Sequence, residues 1–175
     1  GEATAILASY TLIAEGYGGI YRNGQICPKR SDQAVSLSLA AATRAAGIQG
    51  ATNGQFLDLY PPDSGLETME KIIYQKTVTL FEVAFIFGWL FGGGDPGRIE
   101  DLRRLAYHFG MAFQIADDLQ DDDGFLGKKE AVSLLEKETA LFKSSLKELH
   151  LWTAPFQELY GRFSLGSHFQ SQQLV

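Results

Sequence analysis

Residues 102–124 read LRRLAYHFGMAFQIADDLQDDDG, an apolar stretch with helical spacing that ends in five aspartates within the seven positions Asp117 to Asp123. At about 100° per residue, Gln114, Asp117, Asp118 and Asp121 fall within one arc of roughly a quarter turn. Ala112, Ile115, Ala116 and Leu119 take the opposing arc. The spacing therefore predicts a helix with its carboxylates on one face and its anchor on the other. Carboxylates about 5 Å apart repel by roughly 3 kcal/mol per pair at an effective dielectric near 20. They also gather at the C-terminal end of the helix, where the macrodipole disfavours negative charge. A divalent cation removes both penalties, and oxygen-only ligands at this spacing suit Mg²⁺, which keeps waters and bridges to phosphate oxygens. Without such a partner the run reads as a solvated helix end.

Outward from this helix, nearly every long segment keeps helical spacing and none alternates with period two between turns. Residues 2–20 read as a first helix and Arg22 to Asp32 (RNGQICPKRSD) as a polar loop, with Asp32 placed to cap the next helix. Gln33 to Tyr60 reads as a second, small-residue helix bent around Gly47, Gly50 and Gly54. After PPDSG a third helix runs from Leu66 to Phe91 and ends at Gly92-Gly93-Gly94. DPGRIEDL restarts the chain, and the fourth helix runs from Leu102 to about Asp122. EAVSLLEKETALFKSSLKEL (130–149) spaces Leu135, Leu141, Phe142, Leu146 and Leu149 as an amphipathic helix, while the tail from Trp152 has no clear pattern. The fold class is all-α, a bundle in one domain over residues 1–175.

The totals narrow the function. The chain has 175 residues, enough for one domain with a real core, and 45% of them are apolar. Its longest apolar run, Val78 to Phe91, contains Glu82 and falls short of a bilayer span. A net charge of -6 and the absence of a basic stripe argue against a nucleic-acid surface. The single cysteine, Cys27, fits a reducing compartment. The opening GEATAILASYTLIAEGYGG reads as a core helix that starts upstream rather than a leader peptide, so the expectation is a fragment or an incomplete chain.

FQIADDLQD (113–121) resembles the second aspartate-rich motif, FQxxDDxxD, of the trans-isoprenyl diphosphate synthases, such as farnesyl and geranylgeranyl diphosphate synthase. GEATAILA resembles the segment after that family's first aspartate-rich motif, GATNGQFLDL its GQxxDL helix, and YQKTVTLFEVA its lysine-threonine helix. The four occur in the family's order, from residue 1 to about 124. The resemblance implies an isoprenoid-synthase-type bundle with a central cavity and a Mg²⁺-assisted, head-to-tail condensation. Isopentenyl diphosphate would join an allylic diphosphate to give farnesyl or geranylgeranyl diphosphate.

By the same resemblance, Asp117, Asp118 and Asp121 hold the metal. Lys76 and Thr77, with Asp117, are catalytic: Lys76 as a point charge on the diphosphate, Thr77 through its hydroxyl and carbonyl. Gln114 lies beside the diphosphate, and Gln55 and Asp58 face the same cavity. Asp122 and Asp123 read as helix-end charges. A homodimer is implied by the same analogy, and a cytoplasmic or a plastid-stromal location fits the chain equally.

The family's first aspartate-rich motif and its upstream arginines and lysine are not in this sequence. Lys29-Arg30 is no match for the RRGKP motif, and DDDGFLGKKEA offers only a shortened GK, so Lys128 and Lys129 can equally begin the next helix. The chain thus carries half of a two-sided metal site. Two alternatives stay open: a non-catalytic subunit that partners a complete synthase, and a class I terpene cyclase. GQFLDL and YQKT point away from the cyclase.

Overall fold

The computed structural model describes residues 1–26, 31–121 and 127–165, and among these there are helices and turns but no strand. Helix α1 spans Glu2–Ile26, α2 Ser31–Ala46, α3 Ala51–Leu59, α4 Leu66–Ile73 and α5 Thr79–Phe91. Helix α6 spans Ile99–Asp121, α7 Lys128–Glu148 and α8 Ala154–Leu165. In sequence order these match the expected helices, with three corrections. Helix α1 continues through Arg22 to Ile26, into the stretch expected to be a loop; Cys27 to Arg30 lie outside the described residues. Asp32 sits in the first turn of α2 and not at its cap.

The third correction is that the single helix expected over 33–60 is two. The chain breaks at Gly47–Gly50, where Gly50 adopts φ -140, ψ -136 and a Cβ would meet the Ala45 carbonyl oxygen at 2.1 Å. Only glycine passes the backbone there. Gly54, expected at the bend, lies inside α3 as a packing position. The patternless tail contains α8, and Lys128 and Lys129 do open a helix.

Leu66 to Phe91 is one helical rod, as its spacing predicts, but Tyr74–Val78 forms a π turn within it. The Thr79 N–H bonds the Tyr74 carbonyl five residues back. The rod ends as the glycines foretell. Gly94 N–H reaches Trp89 O at 2.8 Å and Gly93 N–H reaches Leu90 O at 3.1 Å, with Gly93 at φ 85. This Schellman arrangement satisfies the last carbonyls. Asp95 then caps the 3₁₀ turn Pro96–Arg98 by accepting from Gly97 N–H at 3.0 Å, and α6 begins directly after it.

The result is an antiparallel hairpin of α5 on α6, with α2 packed on α5 and α7 packed on α6. Phe81 and Phe85 meet Phe109 edge-on at 4.6 and 5.6 Å. Ile86, Leu102, Leu105, Phe142 and Leu146 are 0–1% exposed around them. Burial at that level stabilises by about 1.5–3 kcal/mol per side chain. A second, smaller core of Met69, Ile73, Val78 and Met111 lies beneath the π turn. Both cores draw on the rod and on α6.

Candidate functional site

The π turn is wedged between two glycines. A Cβ on Gly54 of α3 would meet Lys76 N at 2.3 Å and Gln75 C at 2.7 Å. A Cβ on Gly110 of α6 would meet Val78 Cγ2 at 2.8 Å and Val78 Cα at 3.0 Å. Absent side chains let α3 and α6 press against the turn backbone from different directions. Asn53 Nδ2 donates to Gln75 Oε1 at 2.8 Å and stitches α3 to the turn beside Gly54.

From this turn Lys76 and Thr77 reach different partners. Lys76 Nζ lies 2.6 Å from Asp58 Oδ2 of α3, with the two side chains 40% and 32% exposed. That exposure keeps the ammonium open to an anion while Asp58 restrains it. Thr77 Oγ1 donates to Gln114 Oε1 at 3.1 Å, and Gln114 Nε2 donates to Asp118 Oδ1 at 2.8 Å. The hydroxyl of one helix is thus tied through an amide to a carboxylate of the other. Gln55 is exposed on α3 and forms no hydrogen bond with a described residue, so it stands outside this chain of contacts.

Helix α6 presents its faces as the spacing requires. Ala112 and Ile115 are buried, Asp117 and Asp121 are exposed, and Asp118 and Gln114 are half-buried. Among the described residues, neither Asp117 nor Asp121 has a partner. No three His, Cys, Asp or Glu side chains among these residues converge tightly enough to hold a metal on their own. The donor chemistry still fits a hard cation: carboxylate oxygens only, on one face, two of them open to solvent. The fit is to a half-site, with coordination positions left over for other oxygens. Asp122 and Asp123 lie outside the described residues.

A second charged cluster sits behind the turn, and the sequence patterns do not assign it. Glu82 is 5% exposed. Its Oε1 accepts from Tyr74 Oη at 2.9 Å, and Tyr74 Oη accepts from Arg44 Nη2 at 2.6 Å. Arg44 Nη1 and Arg103 Nε stand 3.5 and 3.7 Å from Glu82 Oε2. Burial pushes the Glu82 carboxyl above its ordinary range, against the lowering effect of the Tyr74 hydroxyl and the two guanidiniums. Burial and the neighbouring Glu82 charge push the Tyr74 phenol up as well. The one sequence signal for this cluster is a lone glutamate inside the apolar run TLFEVAFIFGWLF.

Known proteins resemble this chain in sequence and in fold. A polyprenyl synthetase family model matches residues 1–133. Geranylgeranyl pyrophosphate synthase 11, chloroplastic, of Arabidopsis thaliana is 38% identical over 128 residues, 69% of this chain and 35% of that protein. Geranylgeranyl diphosphate synthase of Pseudescherichia vulneris is 36% identical over 134 residues, 73% of this chain and 41% of its own. The chain therefore spans well under half the length of these curated relatives. Geranyltransferase from Legionella pneumophila superposes with a TM-score of 0.80 at 23% identity, over 95% of this chain and 61% of that one. At that identity the likeness speaks for the fold.

Proposed function

The chain belongs to the polyprenyl synthetase family, and from that premise we propose that it forms the second half of a head-to-tail prenyltransferase site. The proposed substrates are isopentenyl diphosphate and an allylic prenyl diphosphate, and the product is farnesyl or geranylgeranyl diphosphate. The reading rests on one observation: the contacts Thr77–Gln114–Asp118 join the π turn to the acidic face of α6, next to the Lys76–Asp58 pair.

In this reading Lys76 holds a diphosphate oxygen as a point charge, and Asp58 limits where its ammonium can go. Thr77 and Gln114 orient the Asp118 carboxylate, while Asp117 and Asp121 remain open oxygen donors. Mg²⁺ held by Asp117, Asp118 and Asp121 would neutralise charge on the departing diphosphate. The allylic C–O bond breaks with its electron pair going to the diphosphate. The isopentenyl double bond then attacks the allylic carbon, and a proton leaves the new chain. Exclusion of water by the apolar residues of α5 and α6 protects the allylic cation from hydrolysis. Gln55 and the rest of the diphosphate contacts belong to the same proposal.

The proposal extends to a homodimer, supported by the exposed Ile6, Leu7, Tyr10, Leu12 and Ile13 of α1, which are 51–72% accessible and suit burial against further helices. No helix among the described residues is long and apolar enough to cross a membrane. Cytoplasm or plastid stroma is the proposed compartment, and a chloroplastic location is the one named for the Arabidopsis relative.

The test uses the full protein with an allylic diphosphate, radiolabelled isopentenyl diphosphate and Mg²⁺. Asp117→Ala should lower product formation by roughly a hundredfold or more, at 1.36 kcal/mol of barrier per decade. Unchanged turnover in Asp117→Ala would end this assignment. Absence of turnover in the unmodified protein would favour the non-catalytic subunit.

A further inference from the structure

Glu82 is buried, its charged partners are half-buried, and the cluster lies outside the reacting groups, so its purpose is a separate question. Replacing a buried ion pair by apolar side chains of similar volume is often neutral or stabilising. Stability alone therefore gives a poor reason for a glutamate inside TLFEVAFIFGWLF. The geometry of the rod offers a better one.

Tyr74 and Glu82 are eight residues apart. In a regular α-helix they would point about 80° apart, since eight steps of about 100° overshoot two full turns by that amount. A π turn inserts one residue without a matching rotation, which brings the two side chains back to within roughly 20° of one face. Tyr74 is the first residue of the π turn and Glu82 lies just past its end. Their 2.9 Å hydrogen bond is therefore aligned by the π register and opposed by the regular one. Arg44 from α2 bonds the same hydroxyl, and Arg103 from α6 faces the same carboxylate. Arg103 Nε is buried without a hydrogen-bond partner and faces Glu82, while the Nη1 of the same guanidinium pairs with Glu100. Both anchors lie on helices that flank the rod.

We propose that Glu82, acting through Tyr74, is a positioning residue that selects the π register of residues 74–78 and so aims Lys76 and Thr77 at the diphosphate. Loss of the π turn would rotate the preceding helix by about 100° relative to α5 and pull Lys76 away from Asp58 or Thr77 away from Gln114. The inference rests on the diphosphate reading for its functional consequence. The register claim itself stands on the geometry.

The experiment compares the full protein with Tyr74→Phe and Glu82→Gln. Tyr74→Phe removes one hydroxyl and keeps the ring, so it guards against loss of folding in Glu82→Gln. Two readouts are taken well below the melting temperature of each variant: amide hydrogen exchange at residues 74–79, and calorimetric affinity for inorganic diphosphate with Mg²⁺. Both variants should exchange faster at the turn than the unmodified protein, with α7 unchanged, and should bind diphosphate about tenfold more weakly, within the range for a small misplacement of binding groups. Unchanged exchange at 74–79 in both variants would overturn the register claim. Faster exchange with unchanged diphosphate affinity would overturn the positioning role. If the unmodified protein binds no diphosphate, the proposed function fails while the exchange arm still decides the register claim.

Discussion

Glu82 and Asp117 sit on adjacent antiparallel helices and show two ways a helix can carry a carboxylate. Glu82 is almost sealed from water, and a phenol and two guanidiniums from three other parts of the chain converge on it. Asp117 is exposed, shares a helix end with Asp118 and Asp121, and has no partner among the described residues. The buried carboxylate is complete within the fold. Asp117 and Asp121 are left open to solvent, with like charges lying together at the negative end of α6. The difference separates a carboxylate whose partners lie within the fold from one that the proposed reading assigns to a ligand.

Opposite responses to truncation are the sharpest way to break that comparison. Glu82→Ala should lower stability by about 3 kcal/mol, toward the low end for a broken buried pair because each arginine is 31% exposed. In a chain of this size that is a fall of about 6–12 °C in melting temperature. Asp117→Ala, measured without Mg²⁺, should leave the melting temperature unchanged or slightly higher, since it removes a screened repulsion. A fall of similar size in both variants would erase the distinction.

The wedge around the π turn sharpens it further. Gly54→Ala drives a methyl into the Lys76 and Gln75 backbone, whereas Gly110→Ala first meets a movable Val78 methyl. Each should destabilise by about 1–3 kcal/mol, with Gly54→Ala the larger, as thermal unfolding can check. Equal and negligible effects would mean that the close approaches do not hold the turn.

The smallest effect is in pH. Because burial raises the Glu82 carboxyl, its folded value lies above its unfolded one. That shift favours the fold fully below the ordinary carboxylate range, and the contribution is lost as pH rises through the raised value. Denaturant unfolding across mildly acidic pH should show the unmodified protein losing stability with rising pH relative to Glu82→Gln. Parallel curves would contradict the shift.

Legibility in the sequence depends on which signals are local. The α6 faces, the Leu66–Phe91 rod and its glycine stop come from periodicity and backbone conformation, and they appear as read. Lys76, Thr77, Gln114, Asp58 and Asp118 come from motifs, and the fold links Lys76 to Asp58 and Thr77 through Gln114 to Asp118. The π turn is not legible, because YQKTV differs little from any helical pentapeptide and the residues that meet it, Gly54, Gly110 and Glu82, lie elsewhere in the sequence. The break at Gly47–Gly50 reads as a bend from sequence because isolated glycines inside a helix are tolerated. The Glu82 cluster is hidden for a different reason. Its members, Arg44, Tyr74, Glu82 and Arg103, are 8 to 30 residues apart from their neighbours in sequence, and no periodicity reports such a meeting.

The central claim is that the α6 carboxylates and the π turn form half of a metal–diphosphate site. Calorimetric titration of Mg²⁺ into the full protein, with and without inorganic diphosphate, tests it most directly. Three aspartates alone should bind Mg²⁺ weakly, and diphosphate should tighten that binding by at least about tenfold, because it supplies the missing oxygens and engages Lys76. Equal Mg²⁺ affinity in the two titrations would contradict the account.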